Sequence, residues 1–432
     1  MIQTAAPANE MIRRRSSPKI TPEFANRIKD MKPRGPVGNR VKTHVHLDEP
    51  YTKQAVVKAL LNSQKINWKV NQDISPEHAD QDLKDVQLQW LEYELINWQH
   101  LAMRDNSLAN AYCIRKGLIR KSQMSYNITK YLSKYPDSIL KKAIPETWLF
   151  ELDHVDYFEE AMNEVFEVER DLLNEEENHM FIIKPSMANK AAGIKVFNSL
   201  DQLRAMFEEE ESDDEEDDDD DEDSYGREDL SQVREWVIQR YIDNPLLVDQ
   251  YKFHVRAYVL AKSNIQVYLY KDMLALFAMK PYDTSNLDDN LIHLTNTCIQ
   301  TDQEGFNEQA SVKLFWELDL SEDKKQDAFE QMKKILADVF DACASEMTTF
   351  QALPNAFELF GIDFMIDQDN QVYFLEANAF PDFKQTGNKL QHIIQELFEA
   401  TSKVAIEPFF TGEKDVQDEK LVKVYEKTLL SL

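Results

Sequence analysis

The residues best placed for chemistry lie in one short stretch. Phe360-Gly361-Ile362-Asp363-Phe364-Met365-Ile366 is followed by the polar tetrad Asp367-Gln368-Asp369-Asn370 and then by Val372-Tyr373-Phe374-Leu375-Glu376-Ala377-Asn378. Two apolar runs around a polar turn predict a β-hairpin. A regular four-residue turn would set Ile366 opposite Gln371 and Asp363 opposite Phe374, one same-face step from Glu376. Asp363, Glu376 and Asn378 would then share a face. Two carboxylates and an amide oxygen on an apolar hairpin are costly to desolvate unless something pairs with them, and hard oxygen donors suit Mg²⁺ held together with nucleotide phosphates. A plainer account fits the same residues: Asp363 caps a turn and Glu376 ends an exposed strand.

Three further groups surround this one in the chemistry they imply. Lys252, His254 and Arg256 alternate along one predicted strand and so point to one side. A turn at Ala261 to Asn264 would bring Lys271 opposite His254, and cations gathered on one sheet face call for an anion between them, or else for open solvent. Lys184 ends an apolar strand just before the small-residue loop Pro185 to Gly193, which contains Asn189 and Lys190 and could act as a phosphate lid. Finally Val237-Ile238-Gln239-Arg240-Tyr241-Ile242 runs into Asp243-Asn244-Pro245, a crossing point whose backbone could meet the edge of a base.

The elements that must carry these groups follow from the pattern along the chain of 432 residues, which leaves room for two or three packed units. Helical spacing marks Gln54 to Asn62, Asp82 to Arg104 and Ala109 to Leu132, the last bearing Arg115, Lys116, Arg120 and Lys121. Short strands are predicted at Met180–Ile183, Ile194–Phe197, Glu235–Ile242, Phe253–Leu260, Ile265–Tyr270 and Met273–Ala278, with long helices at Ser321–Met347 and Asn388–Ala400. The result is an α+β chain with antiparallel hairpins rather than a doubly wound alternation. The expected divisions are a flexible basic arm over 1–45, a helical unit over 46–178, a central unit over 179–245, a second sheet unit over 246–412 and a C-terminal helix over 413–432.

Composition narrows the function. Only nine glycines occur, and none are spaced as G-x-G-x-x-G, a Walker A loop or a G-x-S-x-G elbow, which excludes dinucleotide-binding dehydrogenases, P-loop NTPases and α/β-hydrolases of the usual pattern. Three widely spaced cysteines, Cys113, Cys298 and Cys343, fit neither a disulfide framework nor a zinc knuckle and favour a reducing compartment. No run approaches the apolar length of a membrane span. The basic N-terminal stretch has no apolar segment behind it, so a cytoplasmic protein is expected, with a mitochondrial presequence as the alternative. About half of the net charge of −29 lies in Glu208 to Asp223, where 15 of 16 residues are acidic; such a run is expected to be a disordered loop extending to residue 226. Ser212 within it has the context of an acid-directed phosphorylation site. Nucleic acid is not an expected partner of so acidic a chain.

In combination, IRKGLIRKSQ, IPETW, IIKPSMANKAAGI, VIQRYIDNPLLV, YKFHVRAYVL, VYLYKD, HLTNTCIQ, FELFGIDFMID and FLEANAFPDF resemble the ATP-grasp ligases, and within them the tubulin-tyrosine ligase and ligase-like family, its fungal members in particular. The resemblance runs in family order over residues 114 to 383. It implies an ATP-grasp fold, ATP and Mg²⁺ as cofactors, and ligation of an amino acid, tyrosine rather than glutamate, to a protein carboxylate, with tubulin as partner. It also implies roles: Lys121, Lys184, Lys252 and His254 at the nucleotide, Gln239, Arg240, Tyr241 and Ile242 as the adenine hinge, Asp363, Glu376 and Asn378 around the metal, and Arg256, Lys271, Thr295 and Asn296 at the reacting carboxylate. The chain departs from the family where His254 replaces an acidic residue, where Lys271 replaces an arginine and thus its bidentate fork, and where Ala191 and Ala192 reduce the glycines of the phosphate loop. These departures support a second reading, a degenerate nucleotide-binding module that serves as an interaction scaffold.

Overall fold

The computed structural model describes residues 40–72, 83, 85–174, 176–187, 192–216, 233–301, 303, 306–386 and 390–427. Three sheets follow one another in chain order. The first contains β1 (Arg40–His46), β2 (Asn67–Asn71), β3 (Leu88–Leu91) and β4 (Leu108–Ala109), arranged β2-β1-β3-β4 and parallel throughout. Helix α1 (Pro50–Asn62) makes the crossover from β1; Glu49 caps it by accepting from the Tyr51 and Thr52 N–H groups, and Pro50 opens it where no donor is needed.

This first sheet corrects the expected helical unit. Within Asp82 to Arg104 the chain forms β3, a short 3₁₀ turn at Tyr93–Leu95 and one helix, Trp98–Met103. The apolar residues of that stretch are buried on both sides of β3, and a fully buried short strand cannot be told from a helix by periodicity. The basic arm also ends earlier than expected, because Arg40 onward is β1; residues 1–39 lie outside the described residues.

The second sheet is antiparallel, β5 (Thr147–Glu151), β6 (Phe181–Pro185), β7 (Lys195–Phe197) and β8 (Glu235–Arg240) in the order β5-β8-β6-β7. The central unit thus begins before residue 179. Its core is aromatic, with Phe150, Phe181, Phe197, Phe207 and Trp236 all buried. Helix α2 (Lys121–Lys134) packs alongside, and helix α3 (Leu200–Glu216) continues well past Glu208, so the first half of the acidic run is helical rather than loop. The remainder of that run, and residues 188–191 of the phosphate loop, lie outside the described residues, as does the Ser212 side chain.

The third sheet is the largest. It comprises β9 (Leu247–Val248), β10 (Tyr251–Lys262), β11 (Gln266–Tyr270), β12 (Leu274–Phe277), β13 (Val312–Leu314), β14 (Phe357–Ile366), β15 (Val372–Ala379) and β16 (Leu421–Glu426). The last of these replaces the expected C-terminal helix: Leu421–Glu426 pairs with β11 along its free edge. β10 and β14 lie side by side at the centre, and both are buried almost end to end. One face of the pair, Phe253, Val255, Ala257, Phe360, Ile362 and Phe364, packs on helix α4 (Glu322–Ala344) through Met332, Ile335, Leu336, Val339 and Phe340. The other face is apolar at one end, where Tyr258, Leu260, Phe357 and Leu359 meet the first sheet and helix α5 (Gln391–Thr401), and polar at the other. The polar end holds the candidate site. Cys113 and Cys343 are free thiols, and burial pushes both up to about 12, which makes them inert.

Candidate active site

Register places the acids. In the observed hairpin Ile366 faces Val372 and Phe364 faces Phe374, one residue away from the expected pairing, and a bulge between Asp363 and Phe364 then sets Asp363 directly opposite Glu376 and Gly361 opposite Asn378. Asp363, Glu376 and Asn378 do share a face. The Asn378 Nδ2 lies 3.4 Å from Asp363 Oδ2 and 3.3 Å from Glu376 Oε1, bridging the two carboxylates. On the neighbouring strand Arg256 is in register with Asp363 and grips it through two bonds of 2.5 and 3.0 Å. Arg256 lies close to Gly361: a Cβ there would come within 3.3 Å of its guanidinium and 2.8 Å of Pro381.

Lys252, His254 and Arg256 line the same face and are buried. His254 Nδ1 bonds Thr295 Oγ1 at 2.5 Å, and its Nε2 stands 3.5 Å from Asp363. Burial lowers its pKa, so a neutral ring occupies the place of the family's acid. Lys252 donates to the Tyr241 hydroxyl at 2.8 Å; that hydroxyl meets His293 Nδ1 at 2.9 Å, and His293 Nε2 reaches the Asn286 carbonyl at 2.8 Å. The carbonyl can only accept, so Nε2 carries the proton, Nδ1 accepts from Tyr241, and Tyr241 accepts from Lys252. His293 belongs to this chain of bonds and was missed from the sequence, where only Thr295 and Asn296 of the same segment stood out.

The remaining cations come from the second sheet. Lys184 donates to Gln239 Oε1 at 2.8 Å, and Gln239 in turn donates to Thr147 at 3.0 Å. Lys121 opens helix α2, whose first N–H reaches the Ser186 carbonyl beside Lys184, and its ammonium pairs with Glu376 at 3.0 Å. Burial, with Lys121 adding to it, brings Lys184 down to about 8 despite the nearby Glu376 and Asp363; burial and the Lys184 charge bring Lys252 down to about 7. Burial would push Glu376 up, but Lys121 and Lys184 reverse this and hold it well below the carboxylate range. The third-sheet face is therefore less cationic than its sequence implies, because burial brings Lys252 down to about 7 and lowers His254, and a carboxylate pairs with Arg256.

Two of the expected residues are placed differently. Arg240 borders the cleft, but its guanidinium turns onto Asp171 at 2.6 Å and Glu146 at 3.1 Å and over the Phe181 ring. Its N–H and that of Tyr241 bond the Glu146 and Met180 carbonyls, which leaves Ile242 as the residue of the expected hinge whose N–H makes no such bond among the described residues. Lys271 is not at the site at all. The β10–β11 ladder pairs Lys262 with Gln266, a three-residue shift from the expected pairing, and His254 faces Leu276 of β12. The turn consumes Ser263, Asn264 and Ile265, two of them in left-handed backbone, and Lys271 falls where the chain leaves one ladder for the next. It is exposed on a separate cleft with Lys262 and Tyr268.

One cleft between the second and third sheets thus collects Lys184, Gln239, Tyr241, Ile242, Lys252, His254, Thr295, Asn296, Asp363 and Glu376, with Ile182, Ile194, Met365 and Leu375 as apolar walls. The polar end has lysines for anionic oxygens and paired carboxylates for a hard cation; the apolar end suits a flat ring. Among the described residues no three His, Cys, Asp or Glu converge into a ready metal cage. The donor set of Asp363, Glu376 and the Asn378 amide fits Mg²⁺, which characteristically takes a few protein oxygens and completes its shell with phosphate and water.

The profile of the tubulin-tyrosine ligase family matches residues 99–414. A "Probable tubulin--tyrosine ligase" of Schizosaccharomyces pombe is 37% identical over 86% of this chain and 92% of its own. A "Probable tubulin--tyrosine ligase", PBY1 of Saccharomyces cerevisiae, is 39% identical over 78% of this chain, which spans only 48% of that longer protein. Among solved structures, the C-terminal domain of Kluyveromyces lactis Pby1, described as an ATP-grasp enzyme interacting with the mRNA decapping enzyme Dcp2, superposes with a TM-score of 0.66 and 28% identity, over 90% of this chain and all of that one.

Proposed function

The chain belongs to the tubulin-tyrosine ligase family and has the ATP-grasp fold, and on that footing we propose that it is an ATP- and Mg²⁺-dependent carboxylate-amine ligase. The observation that carries this is the bulged hairpin, which sets Asp363 against Glu376 with Asn378 over both, facing Lys184 across the cleft with Lys252 on the same sheet face. Asp363, Glu376 and Asn378 would hold Mg²⁺, and its charge would offset that of the phosphates. Lys184 and Lys252 regain their protons against phosphate oxygens, Lys121 exchanges its pairing with Glu376 for the nucleotide, and the Ile242 backbone meets the base.

The reaction proceeds in two displacements. An acceptor carboxylate oxygen attacks the γ-phosphorus as the bond to the β-phosphate oxygen breaks, giving an acyl phosphate and ADP. The amine of an amino acid then attacks the acyl carbon, the carbon–oxygen bond to phosphate breaks, and the amine proton leaves with phosphate or solvent. Arg256, which is paired with Asp363, and the Thr295–Asn296 segment of the cleft would face the reacting carboxyl and stabilise its developing charge. Tyrosine is the amino acid proposed, in preference to glutamate, and tubulin the protein acceptor, on the names that the two yeast relatives carry. The cytoplasm is the proposed location; no helix among the described residues is long and apolar enough to cross a membrane.

The test is calorimetric titration of Mg·ATP into the full chain and into Asp363→Asn and Glu376→Gln. Metal-dependent binding lost in both variants supports the site; equal binding in all three removes it. A second reading rests on His254. Its bond to Thr295 fills the place of an acid with a neutral ring, and the related Pby1 domain is named for an interaction with Dcp2, so binding of Mg·ATP without turnover of labelled tyrosine or glutamate favours a nucleotide-binding interaction module.

A further inference from the structure

The His254 ring ends in a nitrogen that the fold leaves unused. The residue is 4% exposed, and alternation along β10 turns it to the face of Lys252 and Arg256, where it lines the cleft with Asp363 and Glu376. Its Nδ1 is taken by the Thr295 hydroxyl at 2.5 Å, whereas Nε2 is buried and makes no hydrogen bond among the described residues. The acid that Nε2 faces, Asp363, stands 3.5 Å away at Oδ1, and that oxygen already accepts from Arg256 Nε at 2.5 Å. Glu376 is close enough for its charge to act on the ring as well. An unsatisfied buried nitrogen costs about 1–3 kcal/mol, so it calls for a partner that arrives with the ligand.

With Nδ1–H donating to Thr295, the lone pair of the ring lies on Nε2 and is directed at a carboxylate. Two such donors repel each other unless a cation stands between them. Donors bonded to one ion at about 2.1 Å are roughly 3.0 Å apart in an octahedral shell and roughly 3.4 Å apart in a tetrahedral one, so the 3.5 Å between Nε2 and Asp363 Oδ1 is a separation that a single ion can bridge. The donors form no ready cage among the described residues, because Arg256 holds Asp363 and Lys121 holds Glu376. A nucleotide that draws Lys121 to its phosphates releases Glu376, and a carboxylate has lone pairs enough for Arg256 and an ion together. Mg²⁺ takes oxygen donors and gains little from an imidazole; divalent first-row transition ions gain from the nitrogen.

We propose that His254 Nε2 is a metal ligand and that, together with Asp363, Glu376 and the nucleotide phosphates, it makes this site select a divalent first-row transition ion over Mg²⁺. Thr295 is then a positioning residue that fixes the ring through Nδ1. The proposal rests on the nucleotide and metal site of the proposed function, and goes beyond it in naming a nitrogen donor and the class of ion that donor favours. The oxygen donors still accept Mg²⁺. The histidine in place of the family's acid therefore changes the metal preference of the site and does not abolish the site.

The probe is Mn²⁺ with the non-hydrolysable ATP analogue AMP-PNP on the full chain, which needs no turnover. Electron spin-echo envelope modulation at the bound Mn²⁺ should show a directly coordinated imidazole ¹⁴N. Labelling the chain with ¹⁵N-histidine should replace that pattern, which sets it apart from adenine nitrogen, and His254→Asn and His254→Asp should both abolish it. In calorimetry with the same analogue, the preference for Mn²⁺ over Mg²⁺ should fall about tenfold in His254→Asp, and Thr295→Val should weaken Mn²⁺ binding about tenfold. Binding of Mg²⁺ with the analogue, and the thermal midpoint in its presence, report that the variants fold. Bound Mn²⁺ without histidine modulation, modulation that survives in both His254 variants, or an unchanged metal preference in His254→Asp would overturn the proposal and leave the nucleotide site standing. Failure of the analogue to bind with either ion would remove the nucleotide site, and this proposal with it.

Discussion

Nucleotide binding should draw protons from solution, and the two buried lysines set how many. Lys252 lies at about 7 and Lys184 at about 8 in the free protein, because burial disfavours their ammonium forms. At pH 8 the first is then about one-tenth protonated and the second about half. Phosphate oxygens favour the charged form of both, so formation of the complex at pH 8 should take up roughly 1.4 protons, and affinity should fall at least tenfold for each pH unit above 8. The unliganded fold responds in the opposite sense. A lysine whose pKa is lowered by folding leaves the unfolded chain binding more protons between pH 7 and its ordinary value, so these residues make the free protein more stable as pH rises through that window. The assay is titration calorimetry with Mg·ATP in buffers of different ionisation enthalpy at pH 8, whose slope is the proton count. Lys252→Arg keeps the charge but cannot lose it, and the uptake should drop to roughly 0.5. A slope below about 0.3 in the unmodified chain would refute the reasoning, since it would mean both lysines are charged before phosphate arrives.

His293→Phe removes the acceptor that orders Tyr241 against Lys252; nucleotide affinity should fall about tenfold, the worth of one charge-assisted bond, by the same calorimetry. Gly361→Ala forces a Cβ to within 2.8 Å of Pro381 and 3.3 Å of Arg256; urea unfolding should show a loss of about 1–3 kcal/mol, and, with Arg256 in its proposed role at the acceptor, turnover should fall more than nucleotide binding. Arg115→Met strands Glu358, which burial already pushes up to about 7. It should cost about 3–5 kcal/mol in denaturant, and adding Glu358→Leu should recover most of that. His254→Asp brings a third carboxylate beside Asp363 and Glu376, so the thermal midpoint should drop in the absence of metal and recover with millimolar Mg²⁺.

Much of the site was legible because it depends on local alternation. Lys252, His254 and Arg256 share a face wherever β10 goes, since period two is built into an extended chain. The hairpin carrying Asp363, Glu376 and Asn378 was also visible, as were the long helix behind it and the strand that ends in Lys184. What the sequence could not supply was register. A one-residue shift at the turn and one bulge together decide whether Asp363 faces Phe374 or Glu376, and a turn that takes up three residues decides whether Lys271 reaches the site or a different cleft. Buried strands such as Leu88–Leu91 lack alternation because both faces are covered, and they resemble helix segments for that reason. The Lys121–Glu376 pair, the Tyr241–His293 link and the depressed lysines join residues 255, 52 and 68 positions apart. Such contacts exist only after the sheets have packed. Residue types and their alternation therefore determined which chemistry this chain carries, while strand pairing and burial across the whole fold decided which of those groups meet and which of them hold a charge.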